Sequence, residues 1–322
     1  MNPVALLKFL EPFDFYFAKH GVTEICINKP CELWVEQQSK FSYYKDETLT
    51  RGFLWQFACL VAEYNQREIS PQNPILSAVL PNGARVQFVI EPACEKGSFV
   101  CSIRKVSAEK VPLEQYFTMY LGSKSESSLL QLYEDKQYTE FLREAVLQHK
   151  NIIISGGTST GKTTFLNALL RHVPLKERII TIETDREVRS DHPNVAHLLA
   201  AEEGKSVTNI TMLDLLKASL RLRPDRILVS ELRAQEAFPY LRAINSGHPG
   251  SMTTLHANSP EGCFEQLAMM VMQGGTRLSR EEIITYAKSI VDVVVQITRS
   301  EEGVRHVSEI YFKDTRVEST PK

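Results

Sequence analysis

The stretch NIIISGGTSTGKTTFL, residues 151–166, decides how this chain is read. It begins as a short β-branched apolar run and ends in a segment spaced for a helix. Between the two, GGTSTGKT (156–163) fits G-x-x-x-x-G-K-[ST], and the flanking strand and helix turn the pattern into evidence. Gly156, Gly157 and Gly161 let the backbone curl, so that successive N–H groups through Thr158, Ser159 and Thr160 point at phosphate oxygens. The helix opening near Lys162 adds its partially positive N-terminus. Lys162 would then reach the β- and γ-phosphates of a nucleotide, and Thr163, followed by Thr164, would offer its hydroxyl to Mg²⁺. The rival reading, a Gly/Ser/Thr-rich turn that fits by accident, leaves the strand and helix unexplained. ATP and Mg²⁺ are the cofactors this reading predicts.

Downstream, helices alternate with continuous apolar runs. Residues 178–183 (RIITIE), 226–230 (RILVS) and 251–256 (SMTTLH) have the look of strands covered on both faces. Helical patterns at 162–171, 211–222 and 234–245 lie between them. Two more helices follow, then VDVVVQITR and VRHVSEIYF joined through Glu301-Glu302-Gly303 as a hairpin. The pattern predicts an α/β nucleotide-binding domain over 138–322. Glu183 and Glu231 end two of these strands, where parallel strands face a nucleotide crevice. Either could hold Mg²⁺ through water or accept a proton from an attacking water. One acid at a strand end is as readily a solvated side chain, but two beside a phosphate loop favour chemistry. SGHPGSMTTLHANSP (246–260) carries His248 and His256, and spacing alone leaves their roles open.

The first third reads differently. TEICIN (23–28) and CELWVEQ (31–37) alternate apolar and polar positions around a Lys29-Pro30 turn, and a helical face follows over 49–64. Pro81-Asn82-Gly83 marks a hairpin, and SFVCSIRKV (98–106) a last strand. A smaller α+β domain over 1–110 is expected, with 111–137, which contains the polar GSKSESS, as a linker region. On the residues alone, Arg85 and Arg104 are exposed strand arginines.

Composition bounds the partners. With 37 basic and 39 acidic side chains the formal charge is −2, which argues against bulk electrostatic capture of nucleic acid. No apolar run approaches the roughly 20 residues of a membrane-spanning helix. The start, MNPVALLKFLEPFDFYF, does not read as a signal peptide. Six scattered cysteines without a Cys-x-x-Cys pair indicate neither zinc nor a disulfide framework. A soluble cytoplasmic protein is the expectation.

Four boxes in order give the chain a recognisable outline: GGTSTGKT, TIETDRE (181–187), RPDRILVSELR (223–233) and SGHPGSMTTLHANSP. Together they resemble the secretion-ATPase superfamily of type II secretion, type IV pili and type IV secretion, whose motor domain is RecA-like. The short N-terminal domain, the missing four-cysteine motif, and the strings QNPILSAVLPNGARVQ and DHPN resemble the VirB11-type traffic ATPases of type IV secretion and conjugation. The resemblance implies a homo-hexameric ATPase at the cytoplasmic face of the bacterial inner membrane. Its implied partners are other secretion-system ATPases and inner-membrane components, with peripheral membrane contact compatible and no strong nucleic-acid binding. It implies a general-base role for Glu183, a second acid at Glu187, and Mg²⁺ and water organisation by Glu231. His256 would sense the γ-phosphate, and Arg85 and Arg104 would reach the nucleotide phosphates.

Three positions depart from the family pattern. Ser159 stands where many relatives have glycine, Glu-Thr-Asp replaces the frequent Glu-Asp-Thr at 183–185, and Ser230 replaces a common glycine. Two other functions are compatible with these residues: a nucleic-acid translocase or helicase on a related core, and a nucleotide-gated scaffold with little hydrolysis.

Overall fold

Ile152 and Ile154 face one way along their strand and Ile153 the other, and each side meets its own helices. One core joins Ile152, Ile154, Leu228, Met252 and Val295 to Phe141, Leu166 and Leu169. The other joins Ile153, Ile180, Ile227 and Val294 to Leu215, Leu241, Leu267 and Ile283. Burial on both faces is why these strands read as unbroken apolar runs. The structure is a computed structural model that describes residues 4–105, 127–201 and 208–315.

The strands of this sheet are β7 (Ile152–Gly156), β8 (Ile179–Glu183), β9 (Val195–Leu199), β10 (Arg226–Val229), β11 (Met252–Leu255), β12 (Val293–Arg299) and β13 (Arg305–Phe312). Their spatial order is β13-β12-β7-β11-β10-β8-β9. All neighbours are parallel except the β12–β13 hairpin at the edge. The helices are α3 (Ser127–Glu134), α4 (Tyr138–Leu147), α5 (Lys162–Leu170), α6 (Met212–Ser219), α7 (Ala237–Asn245), α8 (Pro260–Gln273) and α9 (Arg280–Ile290). Local chemistry starts several of them. Thr211 with Asp214 and Ser279 with Glu282 form capping boxes on α6 and α9, and Ser259 caps α8 ahead of Pro260.

The N-terminal sheet is antiparallel, built from β1 (Val22–Ile27), β2 (Glu32–Gln37), β3 (Lys40–Lys45), β4 (Ile75–Val79), β5 (Arg85–Val89) and β6 (Val100–Arg104). Its order is β3-β2-β1-β6-β5-β4. Helices α1 (Val4–Phe17) and α2 (Arg51–Tyr64) bury Leu10, Phe13, Phe57 and Val61 against Ile25, Val35 and Phe88. The Asn82-Gly83 turn adopts positive φ at Gly83, +82°, as the hairpin reading requires.

The α/β fold with a smaller α+β domain is the architecture read from the sequence. Helix α1 was not anticipated, because Pro12 lies inside it. Nor were β3, whose side chains are mostly exposed, and β9. Residues 111–126 of the expected linker lie outside the described residues. Within its remainder, α3 buries Leu129 in the core of the C-terminal domain, and the Tyr133 hydroxyl donates to the Ile310 carbonyl at 2.8 Å. Among the described residues no helix is long and apolar enough to cross a membrane.

The two domains meet beside β8 and β9. Val89, Ala93, Cys94 and Val100 join the core of the C-terminal domain there. Buried polar bonds accompany them: Asn28 Nδ2 donates to Asn194 Oδ1 at 3.1 Å, and Arg178 Nη1 to Asn28 Oδ1 at 2.8 Å. Arg223 pairs with Glu36, and Arg186 Nε donates to Glu95 at 3.1 Å.

Candidate active site

Strands β7, β11 and β10 are parallel neighbours, so their carboxyl ends open on one edge of the sheet. Gly156 ends β7, His256 follows β11, and Glu231 comes two residues after β10. Thr254 Oγ1 donates to the Ser230 carbonyl at 2.7 Å, and Leu232 N donates to Thr254 O at 3.0 Å. These bonds fix the turn that carries Glu231 against β11, and Ser230 contributes only its backbone to them.

The phosphate loop is tightly constrained. A side-chain carbon at Gly156 would stand 2.5 Å from the Ile297 carbonyl oxygen, so only glycine fits. Gly161 has φ +93° at the start of α5, and Arg305 from β13 lies against it. Ser159 also sits in the left-handed region, at φ +62°. A side chain in this conformation carries a strain of about 1 kcal/mol, which glycine avoids.

Lys162 is buried beneath the loop. Its ammonium donates to the carbonyls of Gly156 at 3.1 Å and Gly157 at 2.9 Å. It also lies 3.3 Å from His256 Nδ1 and 3.4 Å from Nε2, while His256 Nε2 is 2.9 Å from Glu231 Oε1. The tautomer that satisfies both contacts carries its proton on Nε2 and accepts from Lys162 at Nδ1. Arg233 Nη2 donates to the other Glu231 oxygen at 2.8 Å. Burial lowers the Lys162 pKa, an effect that the Glu231 charge partly offsets.

Glu183 ends β8, three strands from the loop in the order β7-β11-β10-β8, and is fully buried. Thr181 Oγ1 donates to Oε1 at 2.7 Å, while the backbone N–H groups of Glu187 and Val188 donate to Oε2 at 2.8 and 2.7 Å. Burial alone would raise its pKa, but the His197 imidazole, these amides and the Thr181 hydroxyl outweigh it and hold the carboxyl below its ordinary value. In this arrangement Glu183 shapes the loop that follows it.

A cleft of about 950 Å³ runs along α5 and is lined by Thr163, Thr164, Asn167, Arg171, Arg186 and Glu187 among others. Thr163 is half-buried, and Glu231 is held by His256 and Arg233. A hydroxyl and a carboxylate are hard oxygen donors that suit Mg²⁺, so the donor set fits that ion. Arg85 and Arg104 lie elsewhere. They stand opposite each other on β5 and β6 and line a separate cavity of about 510 Å³ with Arg67, Arg221 and Arg223. The structure therefore brings Lys162, His256 and Glu231 together and leaves Arg85 and Arg104 out of that group.

Comparison with known proteins shows the family of the chain. The Type II/IV secretion system protein family matches residues 14–314. The chain belongs to that family. Within it, the type IV secretion system protein VirB11 of Bartonella quintana is 38% identical over 330 residues, covering 95% of this chain and 92% of the relative. PtlH of Bordetella pertussis is 36% identical over 323 residues, covering 96% and 94%. The crystal structure of the Brucella suis VirB11 ATPase in complex with sulphate superposes with a TM-score of 0.90 at 36% identity, covering 97% of this chain and 95% of that one. This chain is a secretion ATPase of the VirB11 type.

Sequence reading passed over several side chains of this site. Arg186 and Arg233 lie inside quoted boxes, but nothing in the sequence shows that Arg186 pairs with Glu95 across the fold or that Arg233 turns back onto Glu231. His197 sits on β9, the strand that went unrecognised, and Arg305 reaches the phosphate loop only because β13 folds back beside β12.

Proposed function

We propose that the chain is a Mg²⁺-dependent ATPase that works as a ring, hexameric by analogy, and powers assembly or transport in a type IV secretion system. The contact chain Lys162–His256–Glu231 beside the phosphate loop carries this reading. In it, phosphate oxygens take the place of the Gly156 and Gly157 carbonyls as acceptors for Lys162. Loop amides and the α5 N-terminus hold the remaining phosphate charge. Thr163 and Glu231 would hold Mg²⁺, which when bound neutralises charge developing between the β- and γ-phosphates.

Glu231, the less enclosed of the two acids, orients the attacking water and accepts its proton, with His256 keeping the carboxylate aimed. Glu183 orders residues 187 and 188 through their amides. Its own service as a base would require release from those bonds. Loss of the γ-phosphate changes what Lys162 donates to, and His256 passes that change to Glu231.

Arg85 and Arg104 do not line the cleft of their own chain's phosphate loop, so they reach a nucleotide only across a contact between copies or after the N-terminal domain moves. Both routes tie turnover to assembly. Work at the cytoplasmic face of the inner membrane, with other secretion ATPases and membrane-embedded components as partners, belongs to the same proposal. Its test is ATP hydrolysis per subunit, with Mg²⁺ and with chelator, over a range of protein concentration alongside mass measurement. A rate that needs Mg²⁺ and climbs as rings form supports the reading. Hydrolysis indifferent to both would remove it.

A further inference from the structure

Arg186 takes part in the cleft along α5 and in the contact between domains at once. Its side chain lines the cleft that also exposes Thr163 and Thr164. Its Nε donates to Glu95 Oε1 at 3.1 Å, and Glu95 lies on the N-terminal-domain segment between β5 and β6. Its Nη2 donates to Nε2 of His197 at 2.7 Å.

From His197 the donors run in one direction. The ring Nδ1–H donates to Thr181 Oγ1 at 2.7 Å, and the Thr181 hydroxyl donates to Glu183 Oε1 at 2.7 Å. Thr181 has one proton, which the Glu183 carboxylate takes, so Thr181 must accept from His197. That leaves the Nε2 lone pair for Arg186. A single guanidinium thus anchors Glu95 through Nε and, through Nη2, the far end of the bonds that immobilise Glu183, while its Nη1 donates to the Val188 carbonyl and lies 3.5 Å from Glu183 Oε1.

The Arg186–Glu95 pair is open to competition. Its side chains are 30% and 35% exposed, and ion pairs that meet water are weak. A nucleoside triphosphate brings concentrated negative charge to the same cleft, and guanidinium binds phosphate through two parallel bonds. We propose that Arg186 is a sensor of nucleotide state, shared between Glu95 and the terminal phosphate, so that ATP draws it from Glu95 while ADP leaves the pair closed. Nucleotide state is then reported to residues 91–98 of the N-terminal domain and to Glu183 by one side chain. Because coupling is reciprocal, removing Glu95 must strengthen ATP binding. The inference rests on the nucleotide occupying the phosphate loop.

The test uses the full-length chain as wild type, Glu95→Gln, Arg186→Ala and Arg186→Lys. Affinities for the non-hydrolysable analogue AMP-PNP and for ADP are measured by equilibrium titration with Mg²⁺, and backbone hydrogen exchange is followed over residues 91–98. Glu95→Gln should bind AMP-PNP about 2- to 5-fold more tightly and ADP unchanged. Wild type should exchange faster at 91–98 with AMP-PNP than with ADP. Arg186→Ala should erase that difference and weaken AMP-PNP binding about 5- to 10-fold, with Arg186→Lys restoring part of the affinity. Equal AMP-PNP affinity in Glu95→Gln and wild type, with equal exchange in both nucleotide states, overturns the inference while leaving the phosphate-loop assignment intact. Failure of wild type to bind either nucleotide would overturn that assignment instead.

Discussion

Glu231 Oε1 lies 2.9 Å from His256 Nε2, and the other nitrogen of the same imidazole lies 3.3 Å from the Lys162 ammonium. Histidine therefore joins the carboxylate proposed to handle water to the cation proposed to hold phosphate. Glu231→Gln keeps the shape and removes the base. We expect kcat to fall by about 10²- to 10⁴-fold with nucleotide affinity within a few-fold of wild type. His256→Ala should lower kcat less than Glu231→Gln, since it leaves the carboxylate that accepts the proton in place. Steady-state kinetics with equilibrium binding checks both, and a large loss of affinity with kcat unchanged would assign Glu231 to binding alone.

Ser159 holds φ +62° within the phosphate loop. Ser159→Gly relieves strain of about 1 kcal/mol, offset in part by the greater freedom of glycine in the unfolded chain. The net expectation is a gain in stability of about 0.5 kcal/mol, with turnover equal to or above wild type. Denaturant titration and an activity assay measure the two, and a clear loss of stability would contradict the strain account.

At the opposite end of the strands, Glu177 receives Arg226 Nε at 2.6 Å and lies 3.4 Å from His149 Nε2. Burial would raise its pKa, but His149 and Arg226 bring it down from 4.5 to about 2. A depressed carboxyl pKa contributes stability that is complete above the unfolded value. It is lost as pH falls from about 4.5 to about 2. Glu177→Gln leaves the fully buried Arg226 without its carboxylate, at a cost of about 3 kcal/mol at neutral pH. The variant should also show a shallower loss of stability across that acid window than wild type. Chemical denaturation at a series of pH values reads both effects.

The legible parts of this protein are those whose signal is local. The phosphate loop depends on residues 156–163 alone, and the buried strands show themselves because each has helices on both faces. Glu231 and His256 could be named as strand-end residues, although their contact with each other depends on β10 and β11 being neighbours, which adjacency in sequence does not state. Glu183 was read as an acid facing the crevice, whereas its position in the structure is set by the amides of Glu187 and Val188 folding back over it. A turn of backbone onto a side chain leaves no periodicity to detect. Helix α1 was masked by Pro12, and the Arg186–Glu95 pair joins residues 91 positions apart in different domains.

The central claim is that ATP is hydrolysed at the phosphate loop by way of Lys162. The most direct measurement is Mg²⁺-dependent phosphate release by purified wild type and Lys162→Ala, prepared identically and matched for oligomeric mass. The account predicts steady turnover by wild type and none above background in the variant. Equal turnover by the two proteins would place hydrolysis elsewhere and contradict it.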